Sequence, residues 1–436
     1  MRKLIRAAMP AAVRTAMPAA VRTAMPAAVR TAVSAVAVTA VVCAAACGSD
    51  SASGPAQPTE PVIDLSKLDT GNLETKPKQY GKAVNLDQAK ILEAERLANY
   101  LPLPSEIEPE VKYPADPWGT AVRPFIDFGS AAVKSRITAD PGAMNAAAQG
   151  FVSGFLIAGK SDEETNLSYE LENVVLIFSD EQAAAAAAPA LGQADLDADP
   201  QHHRVSIDKY PAAFAYVTDD ADHYAAGYLQ SWYATGRYVV YTRVVDNVMD
   251  VLQTRDLPKL VAHVQHSIDA IAPAVAKFPA TPQDKLADLP IDPDNVIGRA
   301  LYTVVDDPSE AGMPGVYDRQ GGLQLVQGED EIKLFDEAGV DRVAWKGNYV
   351  YRARDAAGAA QIVDQHSRLT RTYVRAESPQ NLPNAVCRKY TGPTAGALPY
   401  YCFVWHDRYA AEVSAGQLLD AQQRISAQYA MLVNAK

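Results

Sequence analysis

The strongest constraint on the fold is an order of elements that occurs twice along the chain. In the first occurrence, the apolar run 174–178 reads as a buried strand, and Ser179-Asp-Glu-Gln182 reads as a capping box that opens an Ala-rich helix reaching Leu191. Segments 205–217 and 237–245 follow as strands, the latter rich in β-branched and aromatic residues. A closing helix then carries Leu257, Leu260, Val264, Ile268, Ile271 and Val275 at helical spacing. A stripe of this kind has to be buried, and a sheet is the surface available to it. The second occurrence runs through a strand at 349–353, an Ala-rich helix at 355–366, a strand pair bearing Cys387 and Cys402, and a strand at 409–413. Its closing helix begins at the capping box Ser414-Ala-Gly-Gln417 and carries Leu418, Ala421, Ile425, Tyr429 and Leu432. Gly236-Arg237-Tyr238 and Asp407-Arg408-Tyr409 fall at matching points. The expectation is an α+β chain of two domains, each an antiparallel sheet with helices packed on it, related as a diverged duplication.

A length of 436 residues with 48% hydrophobic side chains supplies material for two cores. The N-terminal domain is expected over 64–278 and the C-terminal domain over 295–436. The Pro- and Asp-rich stretch 279–294 lies between them as a linker. Near the start, Asn85-Leu-Asp-Gln88 reads as an N-cap and a helix through about Tyr100, stopped by Pro102 and Pro104. Residues 47–63 include the Ser/Pro/Gly run 50–61 and read as a tether with nothing to bury.

Residues 1–46 have the layout of a signal peptide. Their charges are Arg2, Lys3, Arg6, Arg14, Arg22 and Arg30, with no acid before Asp50, and 31–46 is an uncharged stretch of mostly Ala and Val. That stretch is short of the roughly 20 apolar residues a spanning helix needs. The leader also holds Ala-Met-Pro-Ala-Ala-Val-Arg-Thr three times from Ala8 to Thr31, a period far below the roughly 20-residue units that stack into a solenoid. Ala44-Ala45-Ala46-Cys47-Gly48-Ser49 resembles a bacterial lipobox, with Ala44 where leucine is more usual. The resemblance implies a diacylglycerol on the Cys47 sulfur and an added acyl chain such as palmitate, enough for a lasting anchor. The body would then stand on the outer face of the cytoplasmic membrane.

Residues 1–46 hold six of the 40 Lys and Arg and none of the 52 Asp and Glu, so the remainder carries 34 basic against 52 acidic side chains, a net charge of −18. That excludes nucleic acid as a partner and leaves the anchor, not the surface, to hold the membrane. Of the four cysteines, Cys387 and Cys402 remain after Cys43 and Cys47 are set aside. In an oxidising compartment they are expected as a disulfide closing a loop of about 15 residues. With only His406 nearby they do not make a zinc site.

Motifs that bear chemistry are few. His263 and His266 stand at i, i+3 on the closing helix, but the stripe through Val264 and Ile268 turns elsewhere, so both are expected toward solvent or the flank without a metal. His202-His203 follows Asp195-Leu-Asp-Ala-Asp199, which fails the EF-hand pattern and reads as an acidic surface loop. Ser206-Ile-Asp-Lys209 matches Ser-x-x-Lys, yet it lies in a β-type stretch and the chain has no Lys-Thr-Gly. The aromatic residues Tyr224, Tyr228, Trp232, Tyr233, Tyr238 and Tyr241 fit sheet packing, and Tyr228, Trp232 and Tyr233 are the candidate ligand contacts among them. Tyr400, Tyr401 and Trp405 raise the same choice.

Asp64-Leu-Ser-Lys-Leu-Asp-Thr-Gly71, Leu92-Glu-Ala-Glu-Arg-Leu-Ala-Asn-Tyr-Leu-Pro-Leu-Pro-Ser-Glu-Ile107, Arg408-Tyr-Ala-Ala-Glu-Val413 and Ala427-Gln-Tyr-Ala-Met-Leu-Val433 resemble an actinobacterial lipoprotein family of unknown function. The resemblance spans about 64–433 and implies a two-part extracytoplasmic protein with a C-terminal cysteine pair, bringing no catalytic residues. In architecture the chain is also similar to the extracellular sensor domains of actinobacterial serine/threonine kinases. The expected role is binding of a lipid, glycan or protein partner without catalysis or cofactor. An envelope hydrolase with a dispersed site and a structural scaffold of an envelope complex are the alternatives.

Overall fold

The computed structural model describes residues 60–115, 123–219, 225–302, 314–393 and 397–435; the leader, Cys47 and Tyr224 lie outside them. Two antiparallel sheets organise the chain. The first contains β1 (Tyr113–Pro114), β2 (Pro124–Phe125), β3 (Phe151–Lys160), β4 (Tyr169–Phe178), β5 (His202–Val205), β6 (Phe214–Thr218), β7 (Tyr228–Thr235) and β8 (Tyr238–Asp246). The second contains β9 (Gly315–Asp318), β10 (Arg342–Trp345), β11 (Tyr349–Arg352), β12 (Tyr373–Ala376), β13 (Val386–Tyr390), β14 (Tyr400–His406) and β15 (Tyr409–Ala415). The helices are α1 (Leu86–Ala98), α2 (Pro104–Ile107), α3 (Pro141–Ala147), α4 (Glu181–Leu196), α5 (Asn247–Leu252), α6 (Leu257–Val275), α7 (Arg319–Val326), α8 (Glu329–Ala338), α9 (Ala356–His366) and α10 (Leu418–Asn434).

The sheet orders are β1-β3-β4-β8-β7-β6-β5, with β2 also pairing β3, and β9-β10-β11-β15-β14-β13-β12. They describe one topology used twice. A hairpin (β3-β4 or β10-β11) leads into a helix (α4 or α9), and a four-strand meander returns to place its last strand beside the hairpin's second. A long helix (α6 or α10) then closes the unit. Local anchors repeat as well. Asp180 caps α4 by accepting from the Ala183 N–H, and Asp355 caps α9 by accepting from the Gly358 N–H. The β7-β8 and β14-β15 turns place Gly236 and Asp407 in the left-handed region, at φ 53° and 50°. Just after each, an arginine Nε donates at 2.8 Å to the carbonyl ending the hairpin's second strand: Arg237 to Phe178 and Arg408 to Ala353.

Each sheet is covered on both faces. On the first, Leu260, Val264, Ile268, Ile271 and Val275 of α6 pack with Val175, Ile177 and Val240, while Ala184, Ala187 and Leu191 of α4 pack with Leu176, Trp232 and Tyr241. Gly192 lets α4 approach the sheet closely, because a Cβ there would stand 2.3 Å from the Phe214 ring. On the second sheet, α10 covers the Val350, Val404 and Val413 face and α9 the Tyr351, Phe403 and Ala410 face. Cys387 and Cys402 are directly opposed on β13 and β14, with Cα atoms 4.1 Å apart, and form the disulfide beneath α10.

Several local expectations are corrected. The expected strand 205–217 is two strands, because Pro211 cannot donate to a ladder and 206–213 turns through Tyr210 N–H to Ile207 and Ala213 N–H to Tyr210 bonds. The cap of α4 is Asp180 and not Ser179, whose hydroxyl instead meets the Asp180 carboxylate. Ser414 lies in β15 opposite Tyr401, so α10 starts after Gln417, whose side chain makes no cap bond.

The domain limits also differ. Residues before Tyr80 pack on the second half: Leu68 joins Val296 and Ile425, and Glu60 accepts from Tyr429. The 279–294 stretch is packed structure, since Leu286, Leu289 and Ile291 enter the first half's core and Lys82 bridges Pro290. Helix α1 and the β3 face meet Tyr317 and Leu325 of the second half in the same apolar cluster.

Candidate functional site

The register of the two sheets identifies equivalent positions. In the first half, Phe214, Trp232, Tyr241 and Val174 form a row across β6, β7, β8 and β4. The corresponding row in the second half is Val386, Phe403, Glu412 and Tyr349 across β13, β14, β15 and β11. The next row places Arg388 where the first half has Tyr216. Strand alternation turns Arg388, Glu412, Tyr349 and Tyr351 toward α9. In the first half buried rings fill the Trp232–Tyr241 row, and the Glu172–Arg243 ion pair lies one row further along the same face. In the second half the same face carries ionisable groups beside a cavity of about 390 Å³.

His366, the last residue of α9, is the centre of the cluster. Its Nε2 lies 3.1 Å from Glu331 Oε2 and its Nδ1 3.7 Å from Glu412 Oε2. Glu331 stands in the first turn of α8 and His366 in the last turn of α9, the ends where their charges suit the helix dipole. Burial opposes the imidazolium, but the hydrogen bond to Glu331 and the fields of Glu331 and Glu412 outweigh it and raise the His366 pKa. Burial raises the Glu412 pKa against the opposing pull of His366 and Arg388. The Arg388 guanidinium lies 3.9 Å from the Tyr373 ring centroid and 5.0 Å from that of Phe403, and donates to the Arg368 carbonyl at 3.0 Å. Its buried Nε has no partner among the described residues. The site thus combines two carboxylates, an imidazole, a guanidinium and tyrosine rings. It can exchange protons and bind hydroxyl or amino groups, and no serine, threonine or cysteine is among the described residues lining it.

The candidate ligand contacts chosen from the sequence do not come together. Trp232 is fully buried and stacks on Tyr241 at 4.1 Å, so it offers no ring face to a ligand. Tyr233 points to the opposite side of β7 and packs on Tyr210 at 5.1 Å. Tyr228 alone is half-buried beside a cavity of about 210 Å³, with the Arg243 guanidinium 5.1 Å from its ring centroid. Adjacent strand residues point to opposite faces, so these three cannot form one platform. Tyr238 lies 6.5 Å from the Phe278 ring. Tyr401 packs on Tyr373 at 5.7 Å, Tyr400 faces the α10 side, and Trp405 is buried under α9.

His263 is corrected too, whereas His266 is half exposed as expected. His263 is buried, not solvent-facing, and both its Nδ1 and that of His266 reach Glu108 Oε1, at 2.8 and 2.7 Å. That carboxylate follows α2, 155 residues before His263. Asp195 is not on a surface loop. It is buried, accepts from the Thr138 and Ala139 N–H groups and the Tyr216 hydroxyl, and offers its carbonyl to His202 Nδ1 at 3.0 Å. Ser206 is exposed and Lys209 is paired to Asp269, so Ser-x-x-Lys forms no nucleophile pair. His406 bonds to Glu60 at 2.7 Å. Among the described residues, no group of three or more His, Cys, Asp or Glu has the arrangement to hold a metal, and no helix is long and apolar enough to cross a membrane.

Two family models match: the N-terminal domain of unknown function DUF7373 over residues 80–291, and its C-terminal counterpart over 296–435. The junction between them falls where Asp292 accepts from the Val296, Ile297 and Gly298 N–H groups, at the passage from one half to the other. No curated protein and no solved structure matches the chain.

Proposed function

We propose, from the premise that the chain belongs to the DUF7373 family of unknown function, that it is a lipid-anchored binding protein on the outer face of the cytoplasmic membrane. Its ligand is a small glycan bearing hydroxyl and amino groups, held in the second half's cavity. One observation carries this reading: the Glu331–His366–Glu412 cluster and its cavity stand at the row where the sister sheet carries the buried, stacked rings Trp232 and Tyr241. Polarity on a face that could have been apolar is costly to stability, and occupancy by a polar ligand gives it a use. Tyr349 supplies a ring, Glu331 and Glu412 accept from hydroxyl or amino groups, and Arg388 donates.

The anchor rests on Ala44-Ala45-Ala46-Cys47 and its basic, acid-free leader, as in the actinobacterial lipoprotein family that the sequence resembles. Calorimetric titration of a panel of amino sugars and short glycans into the full mature chain tests the reading. Binding lost in Glu412→Gln supports it, and a panel without binders removes it. Mass spectrometry of membrane-extracted protein tests the anchor: the expected result is a diacylglycerol on Cys47, absent from Cys47→Ala.

A further inference from the structure

A second cavity, of about 1060 Å³, opens where the 72–80 segment crosses the second half. Lys346, in the β10-β11 turn, is 6% exposed and lines it. Its Nζ donates to the Ala300 carbonyl at 3.0 Å and lies 5.4 Å from the Tyr80 ring centroid and 5.9 Å from that of Tyr302. Lys78, exposed at the mouth, places its own Nζ 4.8 Å from the same Tyr80 ring. Neither lysine has a carboxylate within ion-pair distance among the described residues. Asp292, a buried acid whose field reaches Lys346, is taken up by three backbone N–H groups. Glu74 is exposed on the rim. Burial, with the Lys78 charge adding to it, lowers the Lys346 pKa to about 8 against the opposing fields of Glu74 and Asp292. Leu73, Leu301 and Met431 form an apolar patch in the lining, beside the polar Asn72, Thr75, Lys76 and Gln88.

Two ammonium groups at one aromatic ring and an apolar patch, with no acid paired to either ammonium among the described residues, define what the cavity would take. We infer that this cavity binds an amphiphilic anion, its carboxylate or phosphate head between Lys346 and Lys78 and its apolar body along Leu73, Leu301 and Met431. The site is separate from the second half's glycan cavity and does not depend on that reading.

The test is calorimetric titration of the full mature chain at pH 7 with laurate, dodecyl phosphate, dodecanol and inorganic phosphate, each below micelle formation. The expected result is binding of laurate or dodecyl phosphate at least ten-fold tighter than dodecanol or inorganic phosphate. The preferred head identifies a fatty acid or a phospholipid-like ligand as the source. Lys346→Met, which keeps the side chain's length without its charge, is expected to weaken that binding at least ten-fold while leaving the unfolding temperature no lower. Lys78→Met gives an independent reading at an exposed position, with a smaller loss expected. Dodecanol binding as tightly as laurate, unaltered affinity in both variants, or no binding by either anionic amphiphile would overturn the proposal.

Discussion

Tyr241 and Glu412 occupy one position in two copies of a sheet: each is the fourth residue of its strand, paired on one side with Trp232 or Phe403 and on the other with Val174 or Tyr349. The shared topology makes the comparison direct. The first copy fills this position with stacked rings and the second places a carboxylate there beside a cavity, so the halves diverge at a row where a ligand could enter.

The polar cluster makes a pH prediction. The His366 pKa is raised above 6.5, so its stabilising contribution is fully present below that value and is lost as pH rises through the folded pKa. Glu412 is raised above 4.5, so folding favours its protonated form and stability falls as pH climbs through its folded value. Both act in one direction. Urea unfolding between pH 5 and 9 should show stability declining toward alkaline pH, with a shallower decline in His366→Gln.

Glu95 of α1 is buried against Tyr317 with one carboxyl oxygen unpartnered, and burial holds its pKa well above 4.5. The fold therefore keeps a proton that the unfolded chain releases, and stability falls as pH rises above about 4.5. Glu95→Gln removes the titration. The variant should equal the wild type in mild acid and exceed it by about 1 kcal/mol or more near pH 8 in denaturant titrations.

Glu172, buried on β4, holds Arg136 at 2.8 Å and also pairs with Arg243, both arginines being mostly buried. Its pKa is lowered because the two guanidinium charges outweigh burial, itself the largest single influence. Glu172→Gln leaves two buried cations without a counter-charge and should cost about 3–5 kcal/mol in urea unfolding at pH 7. The wild-type contribution is present above pH 4.5 and lost as pH falls through the lowered folded value.

The disulfide closes a loop with a sequence separation of 15 residues. Replacing both Cys387 and Cys402 by alanine should cost about 3 kcal/mol by the chain-entropy estimate, read as a lowered thermal midpoint that no longer responds to reductant.

Much of the architecture was legible because it is written locally. The stripes of α6 and α10 repeat at i, i+3 and i+4, and the Gly236-Arg237 and Asp407-Arg408 pairs mark equivalent turns whose arginines do the same task in both halves. The candidate site was not legible. Glu331, His366, Arg388 and Glu412 come from four elements, and only strand register together with the packing of α8 and α9 on the sheet brings them together. One signal was available: in Tyr-Ala-Ala-Glu-Val, Glu412 alternates with Ala410 on the face that α9 covers, an acid at a core-facing position. Glu108 with His263, and the crossing of 60–79 to the second half, left no local trace because chain separation hides such contacts from periodicity.

The most direct measurement is native mass spectrometry of the protein extracted from its own membrane, comparing wild type with a Glu331→Gln, Glu412→Gln double variant. The account predicts a retained small polar ligand of discrete mass on the wild-type chain and its loss from a double variant that remains folded. A wild-type chain that carries nothing and takes up no glycan, or a double variant that keeps the same ligand, would contradict it.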